Sequence, residues 1–297
     1  MNIQITGATG FIGRNLQSFL ESKNYQTHSL SLRNQGWVEN FDQHSDALIH
    51  LAGKAHDTSN TSLPEDYFKV NVELTKKVFE KFLDSEIIYF FFFSSVKAVA
   101  DTVDTVLEED IVGNPFTPYG KSKLKAEEYL LRQKLPSDKR LFIIRPCMVH
   151  GPGNKGNLNL LFKVINKGIP WPLAAYQNKR SFLSIYNLNF LIDRMLHQEL
   201  ESGVYNFSDD EPLSTNQLIK IIAETTGKKP KYWKLNPKYI EKAASIGDNL
   251  KLPLNTERLK KLTENYVVSN NKIKKALMVS SLPVSAKEGM IKTIKNF

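Results

Sequence analysis

The segment Gly7-Ala8-Thr9-Gly10-Phe11-Ile12-Gly13 decides the fold, because it joins the β-rich run Asn2–Thr6 to a helical pattern. A glycine-rich turn in that position presents backbone N–H groups and a helix N-terminus to an anion, so we predict a pyrophosphate-binding loop. Gly7 allows a tight turn, Gly10 lets the backbone approach a phosphate, and Gly13 lets the helix pack closely on the strand. The G-x-x-G-x-x-G spacing differs from the general G-x-G-x-x-G pattern and indicates a variant of the dinucleotide-binding fold.

Short β-rich runs alternate with helical patterns through the first half of the chain, which is typical of a parallel sheet covered by helices. The predicted strands are Asn2–Thr6, Gln26–Leu32, Ala47–Leu51, Ile87–Phe93 and Leu141–Arg145, and the predicted helices between them are Phe11–Lys23, Glu65–Asp84 and Tyr119–Lys134. Further helices are predicted at Leu158–Lys167, Leu188–Leu200, Asn216–Thr226 and from Ala276 onward. We therefore predict an α/β protein. Residues 1–150 would form a Rossmann-type, doubly wound parallel sheet, to which parts of 181–205 return, and residues 151–297 a smaller, mostly helical substrate lobe.

The composition indicates a globular protein of 297 residues, of which 41% are hydrophobic. Its net charge of +9 fits nucleic acid, an acidic membrane or a phosphorylated metabolite. Because the lysines are scattered and no aromatic nucleic-acid motif accompanies them, we expect neither nucleic acid nor a membrane as partner.

The longest apolar run is too short to span a bilayer and the N-terminus lacks a signal-peptide pattern, so we expect a soluble cytoplasmic protein. The single cysteine, Cys147, excludes an intramolecular disulfide, and the histidines form no cluster, so we expect no metal site.

The residues that follow the second predicted strand bear on the choice of cofactor. An acidic side chain there binds the ribose 2′-hydroxyl of NAD(H), whereas an arginine favours the 2′-phosphate of NADP(H). The segment reads Ser29-Leu30-Ser31-Leu32-Arg33 and contains no carboxylate. We therefore expect NADP(H), with NAD(H) as the alternative, unless Arg33 simply ends the strand in solvent.

A catalytic pair is predicted on the helix that begins near Tyr119. Tyr119 and Lys123 are four residues apart, which puts both on one helical face. A tyrosine with an ordinary pKa of about 10 is a poor base at neutral pH, but a nearby ammonium and a positive nicotinamide ring stabilise its phenolate. Ser94 and Ser95 follow a strand at the sheet edge where open α/β sheets bind ligands. A hydroxyl there can bind a substrate oxygen beside Tyr119, or both serines can simply begin a turn.

Taken together, these motifs resemble the extended short-chain dehydrogenase/reductase family, in particular its nucleotide-sugar (UDP-hexose) epimerase/dehydratase branch. The resemblance rests on Gly7 to Gly13, His50-Leu51-Ala52-Gly53, Asn71-Val72, Phe93-Ser94-Ser95-Val96, Tyr119 to Lys123, and Arg145-Pro146 leading to Gly151-Pro152-Gly153. Two segments depart from the family pattern. Ala98-Val99-Ala100 replaces the usual V-Y-G, and Tyr186-Asn187 stands where many relatives have an aspartate.

The resemblance implies roles for individual residues. Tyr119 would be the acid/base, Lys123 would hold the nicotinamide ribose, and Ser95, with Ser94 as the alternative, would orient the reacting oxygen. The implied cofactor contacts are Gly7, Thr9, Gly10, Phe11, Ile12, Gly13, Arg33, Leu51, Ala52, Gly53, Asn71, Tyr119, Lys123, Pro146 and Val149. The implied substrate contacts are Ser95, Val96, Tyr119, Asn157, Leu158 and Arg180, whose guanidinium suits a pyrophosphate.

The resemblance also implies chemistry at C4 of a UDP-linked hexose, with Tyr119 exchanging a proton with the C4 oxygen. We expect reduction of a UDP-4-keto sugar in surface-polysaccharide biosynthesis. The alternative is a UDP-glucose or UDP-N-acetylglucosamine 4-epimerase. A dehydratase ranks third, because Val96 and Lys97 supply no carboxylate pair. A non-catalytic NADP-binding regulator is the remaining alternative, and the intact Tyr119/Lys123 pair argues against it. A homodimer would be consistent with the family.

Overall fold

A computed structural model of the protein describes residues 1–55, 63–154, 157–250 and 255–297. Its strands are β1 (Asn2–Thr6), β2 (Gln26–Leu30), β3 (Ala47–His50), β4 (Tyr89–Phe93), β5 (Val106–Leu107), β6 (Arg140–Pro146), β7 (Met148–His150), β8 (Phe182–Ser184), β9 (Gly203–Phe207) and β10 (Val267–Val268). Its helices are α1 (Phe11–Ser22), α2 (Pro64–Phe68), α3 (Leu74–Leu83), α4 (Pro118–Leu131), α5 (Asn157–Asn166), α6 (Ile185–His197), α7 (Thr215–Thr225), α8 (Pro237–Leu250), α9 (Thr256–Thr263), α10 (Asn271–Ala276) and α11 (Ala286–Ile294). A π-helical turn, Lys69–Glu73, joins α2 to α3.

The main sheet has six parallel strands in the order β2-β1-β3-β4-β6-β9. The chain moves from β1 to β2 on one side and then to β3 on the other side of β1, so the strand order reverses at β1. In register, Leu30 and His50 lie on either side of Thr6. Ligands bind outside the carboxyl ends of the strands at such a reversal. The fold therefore places its crevice where the glycine-rich segment follows Thr6.

Apolar side chains cover both faces of this sheet. Phe91 and Phe93 belong to the core that packs against α1 and α6, whereas Phe90 and Phe92 belong to the core that packs against α3 and α4. Neighbouring residues of a strand point to opposite faces, so a run of phenylalanines serves both cores only in a central, doubly covered strand. The predicted doubly wound parallel sheet is confirmed.

A second, mostly helical lobe has its own core, which includes Trp171, Phe182, Ile219, Ile222 and Met290. Short strand pairs link it to the sheet region, because β7 pairs with β8 and β5 pairs with β10. A buried hydrogen bond of 2.8 Å between His150 Nδ1 and Thr293 Oγ1 fastens the last helix to β7. Cys147, between β6 and β7, is also buried. The lobes are thus joined by backbone pairing as well as by side chains.

Several predicted elements shift and some were missed. The five predicted strands are present, but β2 ends at Leu30 and β3 at His50. Strands β5, β7, β8, β9 and β10 were not predicted, nor were helices α8, α9 and α10. The helix predicted from Ala276 onward starts too early, because α10 ends at Ala276 and Met278 takes a positive φ of 53°. A new helix, α11, starts only after Ser285, which forms a capping box with Glu288.

Within the described ranges, no helix combines the length and the apolar character that crossing a bilayer requires.

Candidate active site

The glycine-rich turn is packed so tightly that two of its positions exclude any side chain. Gly7 has a φ of +70°, and a Cβ there would lie 2.7 Å from the backbone nitrogen of Ala52. A Cβ on Gly13 would lie 2.4 Å from the carbonyl oxygen of Gly7. These contacts bring the start of α1 directly against the end of β1 and the residues after β3, as the sequence predicted for these glycines.

The N-terminus of α1 is available to an anion. Gly10 caps this helix without a side-chain hydrogen bond, and the first turn of α1 contains no acidic residue. Thr9 and Gly10 are exposed, while Phe11 and Ile12 are partly buried. Unpaired N–H groups at the positive end of a helix attract a phosphate. The turn can therefore hold the pyrophosphate of a dinucleotide.

Buried hydrogen bonds fix the second wall of the crevice, Leu51-Ala52-Gly53. His50 Nδ1 lies 2.7 Å from Thr6 Oγ1, and His50 Nε2 lies 3.0 Å from Thr75 Oγ1. The amide of Ala52 donates to the same Thr6 hydroxyl at 3.1 Å. Burial and the charge of Lys123 lower the pKa of His50 to about 3, so this imidazole stays neutral and serves to position the backbone.

Asn71 connects this wall to the helix that carries the predicted catalytic pair. Its Oδ1 accepts from the amide of Lys54 at 2.7 Å, and its Nδ2 donates to the carbonyl oxygen of Lys54 at 3.1 Å. The same Nδ2 donates to Ser122 Oγ at 3.0 Å. Asn71 is fully buried and acts through these partners, so it supports the residue 53–54 loop.

Lys123 is placed by the first turns of α4. Thr117 caps this helix by accepting a hydrogen bond of 3.2 Å from the amide of Gly120, and Pro118 begins it. The ammonium of Lys123 donates to the carbonyl oxygen of Phe93 at 2.8 Å and lies 4.9 Å from the centre of the Phe92 ring. Burial lowers the pKa of Lys123 to about 8, and Glu127 partly opposes this shift. A polar ligand beside Lys123 would therefore contact a poorly hydrated cation, which loses little water when the ligand binds.

Tyr119 lies one helical turn before Lys123 and is partly buried. Its hydroxyl is hydrogen-bonded with Ser95, and its ring meets the edge of Tyr67 at 6.3 Å between ring centres. Burial raises the pKa of Tyr119, whereas the hydrogen bond with Ser95 lowers it. The predicted trio of Tyr119, Lys123 and Ser95 is thus brought to one place, at the carboxyl end of β4.

The two serines after β4 have different surroundings. Ser94 is buried and donates to Glu127, whose carboxylate is paired with Arg145 at 2.6 Å. Ser95 instead contacts Tyr119 and accepts a hydrogen bond of 3.2 Å from the amide of Lys97. Ser95 therefore faces the crevice, while the Ser94 hydroxyl is engaged in the protein interior.

The other residues predicted to contact ligands are spread over the crevice and its surroundings. Val96 and Leu158 are buried in apolar cores, Val149 is partly buried in β7, and Pro146 ends β6. Arg33 is exposed in the turn after β2. Arg180 donates to the carbonyl oxygen of Lys261 and lies 3.9 Å from the Glu264 carboxylate. Asn157 begins α5, and its side chain lies outside the described part of the structure.

Lys97 was not predicted as a site residue. Its ammonium donates to the carbonyl oxygen of Asp101 at 2.7 Å and stands 4.1 Å from the centre of the Tyr266 ring. Burial lowers the pKa of Lys97 to about 8, and the charges of Glu264 and Arg180 also act on it. Its position two residues after Ser95 was the only sequence signal for a cation at this junction of the lobes.

Comparisons with known proteins agree with this geometry. The model of the NAD-dependent epimerase/dehydratase family matches residues 3–207. The chain is 31% identical over 252 residues to a UDP-glucose 4-epimerase of Vibrio cholerae, with 75% of each chain covered. It is 30% identical over 246 residues to the N-acetyl-alpha-D-glucosaminyl-diphospho-ditrans,octacis-undecaprenol 4-epimerase of Escherichia coli O157:H7, with 77% of this chain and 73% of that protein covered.

Two solved structures share the fold over nearly the whole chain. The UDP-glucose 4-epimerase of Thermus thermophilus in complex with NAD gives a TM-score of 0.73 at 20% identity, covering 100% of this chain and 98% of that one. The structure of RMD from Pseudomonas aeruginosa complexed with NADPH gives a TM-score of 0.74 at 17% identity, covering 99% and 98%. With the family model and the sequence relatives, these findings show that the chain belongs to the NAD-dependent epimerase/dehydratase family of extended short-chain dehydrogenases/reductases.

Proposed function

We propose that the protein is an NAD(P)-dependent oxidoreductase that acts at C4 of a UDP-linked hexose. The observation that carries this proposal is the meeting of Tyr119, Lys123 and Ser95 beside the glycine-rich turn. Membership in an epimerase/dehydratase family and two relatives that are named as 4-epimerases of diphosphate-linked sugars support it.

The residues of the crevice fit a nicotinamide dinucleotide. The α1 N-terminus has no side-chain cap, and the walls at Gly7 and Ala52 are too close together for any side chain to fill the turn. The pyrophosphate would lie over Thr9, Gly10 and Phe11, and Leu51 to Gly53 would border the adenosine half. When bound, such a cofactor supplies or accepts the hydride at the sugar carbon.

The proton is handled by Tyr119. Its hydroxyl donates a proton to the C4 oxygen during reduction, or withdraws one during oxidation, and the Ser95 hydroxyl stabilises the negative charge that forms on either oxygen. Lys123 lies one helical turn after Tyr119, so its ammonium would favour a Tyr119 phenolate by charge, and it would hold ribose hydroxyls. Burial raises the pKa of Tyr119, so the hydrogen bond with Ser95, which lowers it, and the charge of Lys123 would together make the tyrosine useful near neutral pH.

Three cations at the junction of the lobes support binding of a diphosphate. Arg180 and Lys261 both act electrostatically on Lys97 there, and Glu264 is the nearby carboxylate. A guanidinium binds pyrophosphate oxygens in a bidentate manner, so Arg180 would hold the nucleotide diphosphate of the substrate. The sugar would then extend from Arg180 toward Ser95.

Net reduction of a UDP-4-keto sugar by NADPH is the reaction that we favour. The end of β2 offers no carboxylate for an adenosine ribose, and Arg33 is exposed in the turn that follows. An enzyme that uses its cofactor once per turnover needs NADPH to enter and NADP⁺ to leave. A 4-epimerase is the second candidate, because the Vibrio cholerae relative is named as one.

The choice of cofactor can be tested through Arg33. In Arg33→Ala we expect the Kd for NADPH to rise about tenfold while the Kd for NADH changes less than twofold, because only the 2′-phosphate would lose its partner. Isothermal titration with each cofactor measures both values. Lys23→Ala, on an exposed residue of the same lobe, is the control. Equal losses for the two cofactors would contradict the assignment.

The reaction itself can be tested with purified protein. UDP-4-keto-6-deoxy-N-acetylhexosamine is mixed with NADPH and the absorbance of the reduced nicotinamide is followed, while UDP-glucose and UDP-N-acetylglucosamine are incubated with NAD in parallel. Stoichiometric loss of NADPH with formation of a reduced sugar is the expected result. Interconversion of the UDP-hexoses without net cofactor change would identify the epimerase, and inactivity in every reaction would overturn the proposal.

A further inference from the structure

The segment from Lys228 to Leu250 combines lysines with exposed apolar side chains. It holds six lysines and two acidic residues. Trp233 is 56% exposed, Tyr239 76% and Leu250 65%, and Tyr232, Leu235 and Ile246 are exposed as well. Large apolar side chains in contact with water are unusual when several stand together. We call this set, with its lysines, the basic aromatic surface.

Hydrogen bonds join the extended part of this surface to the rest of the lobe. The amide of Trp171 donates to the carbonyl oxygen of Lys231, and the amide of Trp233 donates to the carbonyl oxygen of Trp171, both at 2.8 Å. Tyr232 donates from its hydroxyl to the carbonyl oxygen of Asn216 at 3.1 Å. Every residue from Lys231 to Asn236 is nevertheless exposed. The exposed Trp233 therefore belongs to a segment whose backbone is hydrogen-bonded to the rest of the lobe.

Helix α8 continues the same surface with a second apolar stripe. Ile240, Ala244 and Gly247 face the lobe and are buried. Tyr239, Ala243, Ile246 and Leu250 also follow helical spacing, and their stripe lies about a quarter turn from the buried one. Most helices of globular proteins have one apolar stripe, against the core. The second stripe is exposed among the described residues.

The charges are sorted around that stripe. Lys238 and Lys242 border it on the side away from the core, whereas Glu241 and Asp248 lie across the buried face. The carboxylates have partners within the lobe, since Tyr176 donates to Glu241 at 3.4 Å and Thr256 donates to Asp248 at 2.5 Å. The outward side of α8 is therefore apolar and positive.

A shallow hollow extends the positive charge beside the extended segment. It has a volume of about 310 Å³ and lies between Ile169, Lys229 and Lys231. Lys228 reaches across to Asn166, donating to its Oδ1 at 2.7 Å. The hollow has room for a small anionic group beside Lys229 and Lys231.

We propose that the basic aromatic surface docks this protein on a bilayer of anionic lipid. Tryptophan and tyrosine rings favour the headgroup region, aliphatic side chains enter the outermost acyl layer, and lysines attract anionic headgroups. A protein partner fits less well, because lysine is depleted in protein interfaces. The aliphatic Leu235, Ile246 and Leu250 would have no use on a nucleic-acid backbone. The inference departs from the expectation of no membrane partner, and it does not depend on the proposed function.

The chain carries a probe for this contact. Of its three tryptophans, Trp37 and Trp171 are buried, and Trp233 alone is exposed. Vesicles of phosphatidylcholine, with or without phosphatidylglycerol, are added to the full-length protein. We expect co-sedimentation and a blue shift of tryptophan emission with the anionic vesicles only, weakening with salt. The blue shift should disappear in Trp233→Phe.

Variants locate the contact and separate it from catalysis. Lys234→Glu/Lys238→Glu and Tyr239→Ser/Leu250→Ser should each raise the vesicle Kd at least tenfold, while the control Lys275→Glu/Lys287→Glu, on exposed residues of the same lobe, should change it less than twofold. The parent protein, both double variants and the control should keep normal turnover of a water-soluble substrate. Absence of binding to anionic vesicles, binding without a Trp233 blue shift, or equal weakening in the control would overturn the proposal. So would tighter binding to RNA, or a dimer in solution that these variants dissociate.

Discussion

Lys123 carries a charge in a place that burial makes unfavourable. Its ammonium has the Phe93 carbonyl oxygen and the Phe92 ring as neighbours, and burial lowers its pKa to about 8. Because the charged form is penalised only in the folded protein, the penalty is present in full below pH 8. Above pH 8 the folded protein holds Lys123 neutral while the unfolded chain keeps its proton, so this contribution to stability improves up to about pH 10.5.

Lys123→Met should therefore separate stability from activity. We expect at least a 100-fold loss of kcat, since the ammonium is gone from Tyr119 and from the ribose site. The Tm of the ligand-free variant should equal or exceed that of the parent at pH 7, and the difference should narrow as the pH rises from 8 toward 10. Calorimetry at several pH values measures this. A large drop in Tm at pH 7 would mean that the ammonium stabilises the fold.

Tyr119→Phe removes a single hydroxyl at the point of proton transfer. We expect kcat to fall by a factor of about 100 to 10,000, because a general acid/base contributes roughly that much. The Kd for NADPH and the Tm should stay close to the parent values, since the ring and its contact with Tyr67 remain. Tyr129→Phe, on the same helix, is the control. Near-normal kcat in the Tyr119 variant would exclude the mechanism.

The local sequence pattern points to Ser94 and Ser95 together, and only the family resemblance favours Ser95 over Ser94. Neighbouring residues of extended chain point to opposite sides, and the side that faces Tyr119 depends on where α4 packs. The buried pair of Glu127 and Arg145 engages Ser94 from the other side. That pair joins residues that are distant in sequence, so local patterns give no sign of it.

Helix α1 and strand β1 form a unit whose packing depends on Gly13. A Cβ there would lie within 2.6 Å of Ala8 Cα and would meet only backbone, which cannot swing away. Gly13→Ala should therefore cost about 1–3 kcal/mol of unfolding free energy and weaken dinucleotide binding at least tenfold. Gly36→Ala is a matched control, because its Cβ would meet only the Glu39 side chain at 3.7 Å. Urea unfolding and cofactor titration compare the two, and equal effects would refute the packing argument.

The elements that the sequence predicted are those with one clear pattern of apolar residues or a clear start signal. β4 is apolar throughout, and α1 and α4 have local caps or glycines that mark their starts. Strand β9 was missed because it contains Asn206, a polar residue that is buried and donates to the Leu107 carbonyl oxygen at 3.3 Å. Helix α8 was missed because its two apolar stripes, one buried and one exposed, blur the pattern of a single face. Both cases depend on neighbours that only the folded chain supplies.

Side chains of the two lobes contact one another at two places. The Tyr266 hydroxyl, from the second lobe, donates to the carbonyl oxygens of Val96 and Ala100 at 3.1 and 2.7 Å. His150 and Thr293 make the link near the last helix. A substrate that reaches from Arg180 to Ser95 would span the same junction. Substrate binding should therefore stabilise the contact between the two lobes as well as the loops that the substrate touches.

Because Cys147 is buried, the reactivity of its thiol can report local opening of the structure. Cys147 is 7% exposed, burial raises the pKa of its thiol, and its amide donates to the Phe207 carbonyl oxygen at 3.0 Å. A disulfide reagent can reach it only when the β6–β7 link opens, and the chain has no other cysteine to blur the signal. Saturating NADPH and UDP should slow the labelling at least about tenfold. An unchanged labelling rate would mean that the lobes open independently of the ligands. The labelling rate of one thiol therefore reports how often the crevice opens.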